Sequence, residues 1–173
     1  MKKDQDKWDL KYDAIQYQRT VCSVLKDHVQ FLKEFVPGSA LDIACGMGQN
    51  SLFLSQQGFT VDSVDISPIA LSKFDHPSIH KTQADFDTFR FEENRYDVIV
   101  NAYFLERRLF PYIIRGLKPG GVLFFETFLD TKESLSNPDH KLYSQELLHA
   151  FLSLDILLFE ESEDIAKLIA RKK

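Results

Sequence analysis

A chain of 173 residues and 20.0 kDa fits one domain and leaves little for a second. Apolar residues make up 44% and charged residues 27%, a balance that excludes an intrinsically disordered chain and supplies one buried core. The net charge of −5 argues against a general nucleic-acid binder, and no apolar run approaches the roughly 20 residues that span a bilayer.

The first seven residues mix charges of both signs with no apolar stretch, unlike a secretory leader. The two cysteines, Cys22 and Cys45, lack metal-ligand spacing, and no metal is expected. Both read as reduced thiols, which makes the cytoplasm the expected compartment. Residues 1–35 read as helical, because Leu10, Ala14, Tyr17, Val21, Val24, Leu25, Val29, Phe31 and Leu32 recur at spacings of three and four. Pro37-Gly38 closes that segment and opens a core over residues 38–173. Within it, residues 40–45 are a short apolar strand with one acid, Asp42. Gly46-Met47-Gly48 then leads into a short helix over residues 49–57, ended by Gly58.

Residues 59–65 are the next strand. Ser67-Pro68 supplies an N-cap and a proline suited to the first helical position, opening a helix towards Phe74. A strand over residues 80–84 follows, then a buried strand over 96–101. Leu105, Leu109, Ile113 and Leu117 form a helical stripe, with Pro111 near its start. Lys118-Pro119-Gly120-Gly121 turns into a buried strand over 122–127. Residues 144–152 read as a helix, and 155–159 and 165–170 as two strands joined by the acidic turn 160–164. Strands alternating with helices imply right-handed crossovers and a mostly parallel sheet covered on both faces. The closing pair has no helix between its members, so one of the seven strands must be antiparallel. The expected class is a doubly wound α/β fold.

The chemistry concentrates where the first strand ends. Gly46-Met47-Gly48 lets backbone approach a ligand at a helix N-terminus. As a dinucleotide motif it fails, because Ser51 stands where the third glycine belongs and Asp42 would sit badly beside a pyrophosphate. That disfavours a nicotinamide dehydrogenase. An acid there suits a ligand with an ammonium group, and S-adenosylmethionine is such a ligand.

Asp42 through Gly48 resembles motif I of the class I S-adenosylmethionine-dependent methyltransferases, with Ala44 replacing its first glycine. Asp65, seventeen residues after Gly48, stands where the family's ribose-binding acid belongs, and Ala84-Asp85-Phe86 matches its adenine-side acid. Residues 117–123 look like its turn into the fifth strand. Gly46 through Ser55 with Gly58 through Val61, and the opening Trp8-Asp9-Leu10-Lys11-Tyr12, are most similar to the small tellurite-resistance (TehB-like) group. Departures are Gln49, where an arginine is common, and a shortened segment before Tyr96.

The resemblance implies a cofactor set of Asp42, Ala44, Gly46, Gly48, Asn50, Asp65, Ile66, Asp85, Phe86 and Asn101. It also implies a substrate side drawn from Trp8, Tyr12, Tyr103, Arg107, His140 and Tyr143. Asn101-Ala102-Tyr103-Phe104 lacks the prolines of the Asn-Pro-Pro-Tyr motif of DNA-base methyltransferases. The acceptor is therefore expected to be a small molecule, without nucleic-acid or membrane partners. The rival expectation is a non-catalytic module that binds S-adenosylmethionine or S-adenosylhomocysteine. Trp8 and Tyr12, four apart, share a helix face and form a possible lid. Cys45 is expected to pack rather than react.

Overall fold

The computed structural model describes residues 2–14, 20–130 and 141–173. Its centre is a seven-stranded sheet in the order β3-β2-β1-β4-β5-β7-β6. The strands are β1 (Gly38–Ile43), β2 (Phe59–Asp65), β3 (Ile79–Gln83), β4 (Tyr96–Ala102), β5 (Leu117–Phe128), β6 (Asp155–Ser162) and β7 (Ile165–Arg171). The first five run parallel, and β7 lies antiparallel to both of its neighbours, as the missing crossover before it requires. Central β1, β4 and β5 are apolar runs because helices cover both of their faces.

One face carries α2 (Ser23–Lys26), α3 (Gln49–Gln56) and α4 (Pro68–Ser72), whose Val24, Leu25, Leu54 and Leu71 pack on Val61, Val98, Val100 and Phe124. The other carries α5 (Phe110–Gly116) and α6 (Glu146–Ala150), where Phe110, Ile113 and Leu147 meet Leu41, Ile43, Ile99 and Phe125. Successive β5 phenylalanines thus feed opposite cores, as the twofold alternation of a strand dictates. From β1 the chain winds outward to β3, then crosses back to β4. The carboxyl ends of β1 and β4 therefore part at a topological switch point, the place where an open α/β sheet offers a crevice.

Several boundaries differ from expectation. The N-terminal segment is not one helix: α1 (Lys2–Ala14), α2 and a 3₁₀ turn (Val29–Phe35) are separate pieces, and Cys22 is extended at φ −60°, ψ 144°. Leu10, expected on the buried stripe, is 75% exposed. The helix buries Tyr12 instead, and a residue two positions away points round the other side. Of the first stripe, Tyr17 lies outside the described residues.

The stripe from Leu105 to Leu117 is α-helical only over α5, preceded by a 3₁₀ turn (Arg107–Leu109), with Pro111 in the first α-helical turn, where its missing amide costs no bond. Strand β5 begins at Leu117, earlier than expected, and α6 is shorter than its apolar pattern. The closing turn shrinks to Glu163-Asp164 because Glu160–Ser162 pair in the β6–β7 ladder. The segment before Tyr96 does follow expectation, being turns with no helix.

Candidate functional site

Three backbone twists build the floor of the crevice. Ala44 (φ +52°), Gly46 (φ +55°) and Gly48 (φ +76°) all adopt the left-handed region as β1 gives way to α3. A Cβ on Gly46 would stand 2.8 Å from the Tyr12 hydroxyl, and one on Gly48 would stand 2.4 Å from the Phe74 ring. Space and dihedral both demand glycine at these two positions.

Asp42 points into the α3 face. It is 1% exposed, its Oδ2 accepts from the Ser51 hydroxyl at 2.6 Å, and Ser63 donates on to Ser51 at 2.7 Å. Its Oδ1 is buried with no hydrogen-bond partner among the described residues. Burial pushes the carboxyl up to about 7, with Ser51 opposing and nearby Asp65 adding to the rise. Asn101, at the end of neighbouring β4, donates its amide to the Phe104 carbonyl at 2.8 Å, and its own buried Oδ1 has no partner among the described residues.

Asp65 ends β2 and staples two loops, accepting from the Gly46 N–H at 2.8 Å and the Ser67 N–H at 2.9 Å. Burial raises its carboxyl above the usual range, offset in part by those amides. Ser67 caps α4 through the Ala70 N–H. Half-buried Ile66 follows, its carbonyl taking the Gln83 amide at 3.4 Å. Asp85, one residue past an amide bonded to the Asp65 carbonyl, accepts from the Asp87 N–H at 2.9 Å. Phe86 packs against Phe104 with ring centroids 5.3 Å apart. Asn50 accepts from the Cys22 N–H at 3.0 Å and so moors the start of α2.

Helix α1 lies over this floor. Tyr12 is buried with Met47 and Ala70, Trp8 stacks on Tyr12 at 5.8 Å, and Asp9 accepts from the Ser67 hydroxyl. Tyr103 stands at the end of β4, its ring half-exposed against Phe128. Arg107 is committed elsewhere, with Glu146 at 2.5 Å and the Lys141 carbonyl at 2.9 Å, and exposed Tyr143 lies 6.0 Å from its guanidinium. That pairing also holds the Glu146 carboxyl below its usual range. His140 lies outside the described residues. Burial keeps the Cys45 thiol protonated and so inert.

Sequence reasoning missed Glu126, Ser51, Ser63 and Asp9. Glu126 alone had a visible signal, as the single acid inside the apolar run 122–127.

Comparison with known proteins adds the family. A family described as "Methyltransferase domain" matches residues 15–155. A TehB of Haemophilus influenzae, described as a probable S-adenosyl-L-methionine-dependent methyltransferase, is 30% identical over 117 residues, which is 62% of this chain and 41% of that one. Hemagglutinin 1 of Eikenella corrodens is 29% identical over 161 residues, covering 83% of this chain and 51% of that one. The chain thus spans about half the length of the curated relatives it matches. The crystal structure of TehB from H. influenzae superposes with a TM-score of 0.75 at 22% identity, covering 98% of this chain and 67% of that one.

Proposed function

We propose, because the chain belongs to the methyltransferase domain family, that it is an S-adenosylmethionine-dependent methyltransferase acting on a small-molecule acceptor. One observation carries this reading. The Asp42 Oδ1 is buried beside a glycine turn with no donor to it among the described residues, and an unpaired buried acceptor needs a partner. A ligand ammonium would be that partner, with the turn of Ala44, Gly46 and Gly48 beside the ligand's amino-acid end. Asp65 and Ile66 would flank the ribose, Asp85 and Phe86 the adenine, and Asn101 the sulfur.

When bound, the cofactor supplies a methyl group on a sulfonium, already a good leaving group, for in-line transfer. The chain's task is then to position, worth up to several kcal/mol, and a general base is not required. Trp8 and Tyr12 shed water from the floor by covering it. Net charge −5 supports a small acceptor over a nucleic acid.

Calorimetry tests the reading. S-adenosylhomocysteine is expected to bind and NAD is not. Asp42→Asn removes one charge-assisted acceptor and is expected to weaken S-adenosylhomocysteine by about 1.5–3 kcal/mol, roughly ten- to a hundredfold. An unchanged affinity would remove Asp42 from the site. Turnover of S-adenosylmethionine with an acceptor panel separates an enzyme from a module that only binds.

A further inference from the structure

One buried carboxylate at the carboxyl end of the sheet is given no role by the reading above. Glu126 sits near the carboxyl end of β5 and is 1% exposed. Its Oε1 accepts from the Tyr103 hydroxyl, and its Oε2 accepts from the Ser23 hydroxyl and the Val24 N–H, both at 2.7 Å. A backbone amide can only donate, so this oxygen must accept, and a carboxylate suits all three donors at once. Tyr103 is held in an uncommon way. Its φ is +57°, a region bulky residues rarely enter, and its own N–H donates to the Glu126 carbonyl at 2.7 Å. Such a conformation persists where the surroundings over-determine it. Its ring meets Phe128 at 5.3 Å, and the two residues remain 43% and 41% exposed.

Resting on the methyltransferase reading above, we infer that Glu126 is a positioning residue that selects the acceptor by committing the Tyr103 hydroxyl proton inward. Only the phenol oxygen's lone pairs then remain for a ligand. With its proton committed inward, that oxygen favours a group bearing N–H or O–H over one that brings only lone pairs. An acceptor carboxylate at that spot would meet lone pairs with lone pairs. Burial, with Glu126 adding to it, also pushes the Tyr103 hydroxyl above its ordinary range, so it keeps its proton. Glu126 joins this surface to α2 as well, so one side chain fixes both.

Two matched probes test the inference on the full chain saturated with S-adenosylhomocysteine. Phenethylamine and 3-phenylpropionate share a ring and differ in the charge of the end group. Calorimetry is expected to show the amine binding at least tenfold more tightly than the carboxylate. Tyr103→Phe and Glu126→Gln are each expected to cut that preference below threefold while S-adenosylhomocysteine affinity stays within threefold. Tyr103→Phe removes one oxygen from a half-exposed ring and gives the answer even where Glu126→Gln fails to fold. An equal or reversed preference, no binding of either probe, or a preference that survives Tyr103→Phe would overturn the inference while the methyltransferase reading stands. Wild-type protein that fails to bind S-adenosylhomocysteine would overturn the reading itself, and the inference with it.

Discussion

Asp42 carries a structural cost that a bound ammonium would offset. Its carboxyl is pushed by burial up to about 7 in the folded protein, against 3.8 for an ordinary aspartate. Between those values the native state holds more protons than the unfolded one, so this residue's contribution to stability falls as pH rises from about 4 to about 7. A ligand ammonium prefers the ionised carboxylate. Affinity for S-adenosylhomocysteine is therefore expected to rise from pH 6 to pH 8, with proton release on binding at the lower end. Calorimetry in buffers of different ionisation enthalpy counts that proton. Asp42→Asn is expected to flatten the pH dependence, and a flat wild-type profile would show that the carboxyl does not face the ligand. The cost at Ala44 is of another kind, since an alanine at φ +52° carries strain that a glycine would not.

At the scale of elements, α1 behaves as a cover. Its contacts are with the glycine turn and α4: Tyr12 on Gly46, Asp9 to Ser67, and Trp8 stacked on Tyr12 with the Lys11 ammonium 4.3 Å from the indole centroid. The polar helix has little apolar surface beyond Trp8 and Tyr12 to hold it down. Removing residues 2–14 is expected to weaken S-adenosylhomocysteine binding several-fold while the circular-dichroism melt of the rest stays cooperative. Trp8, the single tryptophan, is expected to change its fluorescence when the ligand binds. A truncated protein with full affinity would reduce α1 to surface packing. The sheet-facing elements are anchored differently, for Asn50 and Glu126 both bond to the backbone at the start of α2.

For the whole molecule, stability rests on a sheet sandwiched between two apolar layers, and β5 feeds both. Phe124 and Phe125 are each fully buried, one in either layer. Phe124→Ala is expected to cost about 3–5 kcal/mol, read from urea unfolding, through lost transfer energy and the cavity left behind. A loss under about 1 kcal/mol would mean that the α2–α3 layer repacks freely. The crevice depends on this frame, because the switch point exists only where β1 and β4 are neighbours with their crossovers wound to opposite sides.

What the sequence by itself determined was whatever depends on neighbours along the chain. Strand β2 is bounded at Phe59 and Asp65 as its pattern predicts, Ser67 caps α4, and Gly58 follows α3 at φ +97°, each set by interactions within a few residues. The run from Asp42 to Gly48 was legible for the same reason, since turn, dihedral and acid lie on one short segment. Tertiary structure alone decided which side of α1 is buried, because a short amphipathic pattern does not say what it will meet. It also decided that Arg107 is committed to Glu146, thirty-nine residues away, and that Glu126 holds Tyr103 and Ser23 from segments twenty-three and 103 residues distant. A carboxylate in an apolar strand is visible in one dimension. Its partners exist only once the sheet has brought β4, β5 and α2 together.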